Sequence, residues 1–227
     1  MRKLLVKLSG HIFDQDELVK RYVKVIRFIL DSCPDCKIVF VCGGGSIARR
    51  YVSILRDLSH NEARSDMIGI MVSRLNALTL ALSIEDAYQG VPSNIDEFLK
   101  AYSTSRVVFC GGLQPGQSTA TVAMILAEIT GTRDVVFASN IDAVYDKDPM
   151  KHKDAKKLEK VTLSELENIL SKETDVHAGT YPLLDLWAIN IARRARIRIF
   201  LYNCREPEKL IDIVLHGTGY GTLIVPD

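Results

Sequence analysis

The stretch KIVFVCGGGSIARRYVSIL, from Lys37 to Leu55, indicates most directly how this chain folds. Its first part, Lys37–Cys42, is almost entirely apolar and predicts a buried strand. Three glycines follow, and Ile47–Leu58 then carries apolar residues at helical spacing. A buried strand that passes through a glycine loop into a helix is typical of α/β proteins with a mostly parallel sheet.

The same alternation continues in both directions along the chain, without an internal repeat or a low-complexity linker. Further strands are predicted at Lys3–Leu8, Val107–Cys110, Val135–Ala138, Arg198–Tyr202 and Thr222–Val225. Further helices are predicted at Asp16–Leu30, Asp66–Leu82, Thr119–Thr130, Leu184–Arg194 and Pro207–Leu215, and from a capping box at Thr162–Glu165 to Leu170. The lysine-rich segment Lys151–Lys160 is expected to be solvated surface.

Composition excludes several classes of protein. With 227 residues, of which 47% are hydrophobic, the chain fits one large domain or two lobes. A net charge of +1 creates no field that would favour nucleic acid as the main partner. No apolar run reaches the roughly 18 to 20 residues of a membrane span, and the apolar segment after Met1 ends too early for a signal peptide. We therefore expect a cytoplasmic protein with no membrane partner.

The cysteines and histidines give weak signals. The five cysteines are odd in number and widely scattered, which argues against a disulfide framework. Cys33 and Cys36 form a CxxC motif, but no second pair or histidine cluster completes a metal site, so a structural role is favoured over redox or metal chemistry. The five histidines are also scattered and are expected at the surface rather than in catalysis.

Two loops at strand ends carry residues suited to binding an anion. In the lysine loop, Lys7–Gly10, a lysine ends an otherwise apolar strand, where it must reach solvent, be paired or act on a ligand. The triple-glycine loop, Gly43–Ser46, lets backbone amides approach an anion in front of a helix N-terminus. Because the carboxyl ends of parallel strands share one crevice, we expect these loops to meet there.

Two later loops have similar character. The GQST loop, Gly111–Thr119, offers flexible backbone, the Gln114 amide and two hydroxyls for a phosphate, although Ser118 or Thr119 also suits a simple N-cap. The aspartate loop, Ser139–Pro149, suits nucleotide and magnesium binding, although its DKDP sequence is also ordinary turn chemistry. The triple-glycine loop and the GQST loop are thus two candidate phosphate-binding loops. Together with a lysine at a strand end they fit phosphoryl transfer, which depends on positioning and charge neutralisation more than on a nucleophile.

A dinucleotide-binding dehydrogenase is an alternative. The pattern Gly43-x-Gly45-x-x-Ala48 satisfies the loose dinucleotide fingerprint between a strand and a helix. That fingerprint also requires an acidic residue about 20 positions further on, at the end of a second strand. Asp66 has this spacing but precedes a helical stretch, and a plain tight turn at the glycines also stays open. Walker A, HRD, DFG, HExxH and GxSxG sequences are absent.

Four motifs, in order, resemble those of the amino acid kinase superfamily and, within it, the archaeal uridylate kinases. They are KLSG at Lys7–Gly10, GGGSxARRY at Gly43–Tyr51, GGxQPGQST at Gly111–Thr119 and SNxDxVYDKDP at Ser139–Pro149. The resemblance implies a three-layer α/β/α fold in a single domain, residues 1–227, with an acceptor lobe at about 1–130 and an ATP lobe at about 131–227. It also implies transfer of a phosphoryl group from ATP to UMP, with Mg²⁺, by a homohexamer in pyrimidine nucleotide synthesis.

The resemblance also implies roles for single residues. Lys7 would stabilise the charge on the transferred group, and Asp142 would orient that machinery. The ATP phosphates would contact Ser9, Gly10, Gly45 and Arg49, and the ATP base and ribose would lie against Ser139, Asn140, Tyr145 and Asp148. UMP would be held by Gly44, Asp66, Leu113, Gln114, Pro115, Gly116, Gln117, Ser118 and Thr119. No residue is assigned as a metal ligand.

Asp66 and the helix that follows it allow a plainer interpretation. Asp66 either accepts hydrogen bonds from the UMP ribose or caps the helix through the amides of Ile68 or Gly69. The predicted helix Asp66–Leu82 carries a broad, mostly apolar stripe along one side. The resemblance implies that this stripe contacts another subunit of an oligomer, although such a stripe usually packs into the core of its own chain. The stripe consists of Met67, Ile70, Met71, Arg74, Leu75 and Leu78.

The sequence departs from the family pattern at three positions and leaves alternatives within the family. Ser139 stands where threonine is usual, Ala143 replaces a glycine, and His11 stands where many relatives carry serine. Isopentenyl phosphate kinases usually have a histidine in GGGSFGH, which is GGGSIAR at Gly43–Arg49 here. Amino-acid and carbamate kinases lack the GQST-type loop. A non-catalytic nucleotide-binding protein is a further alternative, against which the intact Lys7 and Asp142 argue.

Overall fold

The computed structural model of the chain describes residues 2–172 and 183–227. Its strands are β1 (Arg2–Leu8), β2 (Cys36–Cys42), β3 (Val107–Cys110), β4 (Asp134–Ser139), β5 (Val144–Tyr145), β6 (Lys157–Leu158), β7 (Lys160–Thr162), β8 (Arg198–Asn203) and β9 (Thr222–Val225). Its helices are α1 (Asp16–Ser32), α2 (Gly45–Ser59), α3 (Glu62–Ala81), α4 (Ile95–Thr104), α5 (Thr119–Thr130), α6 (Leu163–Lys172), α7 (Leu186–Arg194) and α8 (Lys209–His216). A short 3-10 helix, Gly10–Asp14, follows β1.

A seven-stranded sheet forms the middle layer of the fold, in the order β3-β2-β1-β4-β8-β9-β7. Strands β1 to β4 and β8 run parallel to one another, whereas β9 is antiparallel to β8 and parallel to β7. β5 and β6 form a separate antiparallel pair. The mostly parallel α/β sheet predicted from the sequence is therefore confirmed.

Helices cover both faces of the sheet, which gives the predicted three-layer sandwich. Alternate residues of β1 enter different cores: Leu4 and Val6 pack with α1, α3 and α8, while Leu5 packs with α4, α5, α6 and α7. Helix α2 lies outside these layers against α3, and among its residues Ala48 is buried. In the described ranges, no helix is both long and apolar enough to cross a membrane.

Two sequence predictions about elements were incomplete. Helix α4 was not predicted, although Asn94 and Glu97 form a capping pair three residues apart: the Asn94 side chain accepts from the Glu97 amide, and the Glu97 carboxylate accepts from the Ser93 amide. The segment Lys151–Lys160 is mostly exposed, as expected, but it also contains β6 and begins β7, which were not predicted. Strands of two or three residues are too short to produce a periodic signal.

Of the two alternatives for Asp66, the one in which it caps a helix is wrong. Helix α3 begins at Glu62, because the Asn61 side chain accepts a hydrogen bond from the Arg64 amide and caps it there. Asp66 therefore lies within the helix, beyond its first turn, and its carboxylate is available for contacts elsewhere.

The cysteines do not form a disulfide framework, as expected. Cys42, Cys110 and Cys204 are buried and free. Cys33 and Cys36 form a disulfide across the turn between α1 and β2, where their Cα atoms are 5.3 Å apart. This bond closes a local turn, so the structural role favoured for the motif takes the form of a short-range crosslink.

Candidate active site

The lysine loop and the triple-glycine loop meet at the carboxyl ends of β1 and β2. The Gly43 backbone amide donates to the Leu8 carbonyl at 2.9 Å. The buried side-chain amide of Asn76 donates to the Gly43 carbonyl at 2.8 Å. A Cβ atom on Gly10 would lie 1.9 Å from the Gly45 nitrogen. The two loops therefore touch through bare backbone and bring together residues that the sequence assigned to the ATP phosphates.

The triple-glycine loop runs directly into the N-terminus of α2. The Asp14 carboxylate accepts hydrogen bonds from the Ser46 amide at 2.9 Å and the Ser46 hydroxyl at 2.7 Å. Arg49, on the next turn, lies 3.9 Å from the same carboxylate and is half exposed. A helix N-terminus with an adjacent arginine is a favourable place for a phosphate.

His11 lies next to these loops and is partly exposed. Its Nδ1 is 3.1 Å from the Ser9 hydroxyl, and its Nε2 is 3.3 Å from an Arg49 nitrogen. Burial and the nearby positive charge of Arg49 lower the pKa of His11 from its usual value.

Lys7 is a cation that forms no ion pair with any residue the structure describes. It lies near the end of β1, in register with Phe137 of β4, and its Nζ is 5.4 Å from the centre of the Phe137 ring. Within residues 2–172 and 183–227, no carboxylate oxygen lies within 4.0 Å of its Nζ. Burial lowers the pKa of Lys7 to about 8. A partly desolvated ammonium of this kind is ready to bind an anion.

Helix α3 holds the GQST loop in place. The Asp66 carboxylate Oδ2 accepts a hydrogen bond from the Gly116 amide at 2.8 Å. The Ser73 hydroxyl accepts from the Gly112 amide at 2.8 Å, and Arg74 donates to the Gly112 carbonyl at 2.9 Å. The structure thus joins Asp66 to the loop that the sequence assigned to the same substrate, through a contact that neither segment reveals alone.

Two polar residues of the GQST loop have different surroundings. Ser118 is the N-cap of α5, since its hydroxyl accepts from the Thr121 amide, and it also donates to Asp185. The simple capping alternative is therefore what the structure shows for Ser118. The Gln117 side-chain oxygen is buried and has no hydrogen-bond partner in the part of the chain that the structure describes. A buried acceptor of this kind calls for a donor, which a bound ligand can supply.

In the aspartate loop, Asp142 is held by two neighbours. The Tyr145 hydroxyl donates to it at 3.2 Å, and Lys157 of β6 forms an ion pair with it. Burial alone would raise the pKa of Asp142, but the hydrogen bond and charge of Lys157 outweigh it and hold that pKa below its usual value. The sequence did not reveal Lys157, because it is one of several lysines in a segment without periodicity.

The rest of the aspartate loop combines turn contacts with open positions. Asp148 accepts a hydrogen bond from the Met150 amide at 2.8 Å, which is the turn chemistry anticipated for DKDP. Ser139 is buried at the end of β4, and Asn140 is exposed beside it. Ala143 is buried without a positive φ, so the methyl group in place of the family's glycine introduces no backbone strain.

The structure removes the dinucleotide-fingerprint interpretation. Asp66, which has the required spacing from the glycines, lies in α3 and not at the end of a strand. The strand that follows β2 in the chain is β3, which begins at Val107, far beyond that spacing.

Comparison with known proteins agrees with this geometry. The model of the amino acid kinase family matches residues 2–203. The chain therefore belongs to the amino acid kinase family. It is 41% identical to the uridylate kinase of Sulfurisphaera tokodaii, over 99% of each chain, and 44% identical to that of Pyrobaculum calidifontis, over 97% of this chain and 99% of the other. Its fold matches the crystal structure of uridylate kinase from Archaeoglobus fulgidus with a TM-score of 0.85 and 31% identity, over 99% of this chain and 100% of that one.

Proposed function

We propose that this protein is a uridylate kinase, which transfers the γ-phosphoryl group of ATP to UMP and releases UDP and ADP. The observation that carries the proposal is Lys7, a partly desolvated cation with no carboxylate partner in the described ranges, at the end of the strand that leads into a backbone cradle. Relatives at 41% and 44% identity that are uridylate kinases support UMP as the acceptor.

The cradle would hold the ATP phosphates, and Lys7 would stabilise the transfer. The Gly10 and Gly45 backbones, the N-terminus of α2 and Arg49 would neutralise and orient the polyphosphate. Lys7 would then stabilise the charge that builds up on the transferred group. An oxygen of the UMP phosphate acts as the nucleophile, so the protein needs to position two anions rather than supply an attacking group.

The GQST loop and α3 would hold UMP. The Asp66 Oδ2 atom already accepts from Gly116, while no residue in the described ranges donates a hydrogen bond to its Oδ1. That second oxygen would accept from a ribose hydroxyl, since charged hydrogen bonds are the stronger ones. The side-chain oxygen of Gln117, which has no hydrogen-bond partner among the described residues, offers a further acceptor. Ser118 and Thr119 would contribute through the N-terminus of α5.

The ATP base and ribose would lie against Ser139, Asn140, Tyr145 and Asp148, and Asp142 would orient the transfer site. Magnesium would enter bound to ATP. Mg²⁺ usually binds through substrate phosphates, water and one or two carboxylates, so the ATP phosphates would supply most of its ligands. The ionised Asp142, which also pairs with Lys157, would supply a carboxylate for this purpose. Bound Mg²⁺ neutralises phosphate charge.

The division into lobes and the cellular setting complete the proposal. Residues up to about 130 would form the acceptor lobe, because they carry Asp66 and the GQST loop, and residues from about 131 would form the ATP lobe. The enzyme would work in the cytoplasm, in pyrimidine nucleotide synthesis.

A coupled assay of ADP release with a panel of acceptors tests the function. The panel contains UMP, CMP, isopentenyl phosphate, glutamate and carbamate, each with ATP and Mg²⁺. We expect UMP to give the highest kcat/KM. A preference for isopentenyl phosphate would identify another member of the family, and ATP binding without turnover of any acceptor would identify a non-catalytic nucleotide-binding protein.

Replacing Asp66 by alanine should reduce discrimination between UMP and dUMP. Loss of a charged hydrogen bond is worth about 1.5 to 3 kcal/mol, so kcat/KM for UMP should fall by about tenfold to a hundredfold. The value for dUMP, which lacks the 2′-hydroxyl, should fall less, and KM for ATP should not change. The measurement is kcat/KM for both acceptors in the wild-type and variant enzymes.

The control for this experiment is Asp96→Ala, which removes an exposed carboxylate from the first turn of α4. It should leave the UMP/dUMP ratio at the wild-type value. If Asp66→Ala lowered kcat/KM for UMP and dUMP equally, Asp66 would only brace the GQST loop through Gly116, and its ribose contact would be refuted.

We propose further that the protein is a homohexamer built partly through α2 and α3. On α3, Met67, Met71 and Leu75 are 57%, 67% and 61% exposed, whereas the other members of the predicted stripe are partly buried. Helix α2 adds exposed Ile47, Tyr51, Ile54 and Leu58. We call these seven residues the α2–α3 apolar face. An apolar surface of this extent on adjacent helices is typical of a protein interface.

The substitution Leu75→Asp should weaken the assembly. A charge in the centre of an apolar interface is left unpaired and desolvated when the partner docks, so light scattering at micromolar concentration should show a smaller mass than for wild type. The matched control is Leu99→Asp, which changes an exposed leucine on α4 and should leave the mass unchanged. A monomeric wild-type protein would overturn the proposal.

A further inference from the structure

His11 links two residues of the proposed phosphate cradle. It belongs to the 3-10 helix that follows the lysine loop and is partly buried. Its Nδ1 atom is 3.1 Å from the Ser9 hydroxyl, and its Nε2 atom is 3.3 Å from an Arg49 nitrogen. The imidazole thus stands between a hydroxyl at the end of β1 and a guanidinium on α2.

Arg49 fixes the tautomer of His11. An arginine side chain is always protonated and can only donate, so the facing Nε2 must be an acceptor without a proton. In the neutral ring the proton is then on Nδ1, which donates to the Ser9 hydroxyl. Ser9 also accepts from the His11 backbone amide at 3.3 Å. With both of its acceptor positions used, the Ser9 hydroxyl can direct its own proton only away from His11.

The charges around His11 favour this neutral form while the cradle holds no anion. Three cations influence it, namely Arg49 on α2, Lys7 on β1 and Arg205 after β8, against one carboxylate, Asp14 on its own 3-10 helix. Burial and these cations together lower the pKa of His11 from its usual value. A bound polyphosphate brings several negative charges to the same place, so the net charge around His11 changes from positive to negative and the protonated ring is then favoured.

We propose that His11 is a proton-coupled positioning residue of the phosphate cradle: neutral, it aims the Ser9 hydroxyl and holds Arg49, and it takes up a proton when the polyphosphate binds. Protonation turns Nε2 from an acceptor into a donor. The contact with Arg49 is then lost, and both groups can donate to phosphate oxygens. This inference rests on the proposed function, because it identifies the anion as the ATP polyphosphate.

The consequence for pH has a definite sign. A group that binds a proton together with the ligand makes ligand binding stronger as the pH falls through the pKa of the bound state. The gain in affinity levels off below the pKa that His11 has in the free protein, because His11 is already charged there before the ligand binds. Each unit by which the ligand raises the pKa of His11 corresponds to a tenfold gain in affinity.

Calorimetry measures the proton uptake directly. A non-hydrolysable ATP analogue with Mg²⁺ is titrated into the full-length protein, at a pH near 7, in buffers of different ionisation enthalpy. The wild type should take up a fraction of a proton more than His11→Gln, whose side chain can accept from Arg49 but cannot be protonated. His216→Gln, which replaces an exposed histidine on the last turn of α8, is the matched control and should equal the wild type.

The pH profile of KM for ATP gives an independent measure. Between pH 8 and pH 6, KM for ATP in the wild type should fall by about threefold to tenfold relative to His11→Gln, while the kcat ratio stays nearly constant. Comparing the two proteins cancels the ionisation of ATP itself. A merely structural role would raise KM by the same factor at every pH.

The results separate this inference from the proposed function. Equal proton uptake by the wild type and His11→Gln, or a KM ratio independent of pH, would refute the role of His11 even if UMP is phosphorylated. Extra proton uptake by a wild type that does not phosphorylate UMP would support the role of His11 and refute the proposed function.

Discussion

Replacing Lys7 by alanine should lower kcat with UMP by about a hundredfold to a thousandfold, because it removes the positioned charge that we propose stabilises the transition state. KM for UMP should change little, since UMP is proposed to bind at the GQST loop. The measurement is steady-state turnover in the coupled assay of ADP release, together with UMP binding by calorimetry.

The wild-type enzyme should also lose activity in alkaline solution. The pKa of Lys7 is about 8 in the free protein, and only the ammonium form can stabilise the transferred group. The profile of kcat/KM for ATP should therefore fall as the pH rises through about 8.

As the pH rises above 8, the stability of the folded protein should increase while its activity decreases. The pKa of Lys7 is lower in the folded protein, about 8, than its ordinary value of 10.5, so the charged form is disfavoured by folding. Below pH 8 the lysine is charged in both the folded and the unfolded state, so folding bears the full cost of burying the charge. Between pH 8 and pH 10.5 the unfolded state binds more protons than the folded state, so the free energy of unfolding rises with pH. Lys7→Ala should therefore melt at or above the wild-type temperature at neutral pH, and this difference should shrink as the pH approaches 10.5.

Lys3→Ala provides the matched control, since it makes the same substitution at the opposite end of β1. Lys3 donates to the Thr130 carbonyl at 2.8 Å, far from the cradle. It should turn over UMP at the wild-type rate. Near wild-type turnover by Lys7→Ala would contradict the catalytic assignment of Lys7, and a lowered melting temperature would contradict its desolvation.

The parts of the fold that the sequence predicted correctly depend on local patterns. β2 and the helix behind the triple-glycine loop are recognisable because apolar residues recur at the period of the element that they form. α4 was missed even though its capping pair, Asn94 and Glu97, is local. The pairing of β5 with β6 and of β8 with β9 depends on partners distant in the chain, and β5 and β6, with two residues each, are too short to carry a period.

The candidate site also divides into features that follow from local sequence and features that depend on contacts between distant segments. The meeting of the lysine loop and the triple-glycine loop could be predicted, because the carboxyl ends of parallel strands share one crevice. The partner of Asp66 could not, because Gly116 is 50 residues further along the chain. Lys157 and His11 were missed for the same reason: one contacts Asp142 across a strand pair, and the other contacts Arg49 on a separate helix. Such contacts exist only once the sheet has brought the loops together.

Replacing Gly10 by alanine should damage the proposed phosphate cradle itself. The added Cβ would lie 1.9 Å from the Gly45 nitrogen, 2.5 Å from its Cα and 2.9 Å from the Gly44 carbonyl carbon. All three are backbone atoms, so no side-chain rotation relieves the clash, and the two loops must move apart. Because a displacement of about 1 Å can reduce catalysis about a hundredfold, we expect a loss of this size in kcat/KM for ATP.

The comparison with Gly69→Ala separates this local effect from a general effect of replacing glycine. The added Cβ on Gly69, in α3, would lie 3.7 Å from the Val52 side chain, an ordinary contact, and alanine is the better helix former. Gly69→Ala should therefore melt at or above the wild-type temperature and turn over UMP normally. In Gly10→Ala, UMP binding should weaken much less than ATP binding, since Asp66 and the GQST loop, which carry most of the proposed UMP contacts, do not meet the added Cβ. If Gly10→Ala bound ATP with wild-type affinity and turned over UMP at the wild-type rate, the two glycine loops would not form the phosphate cradle.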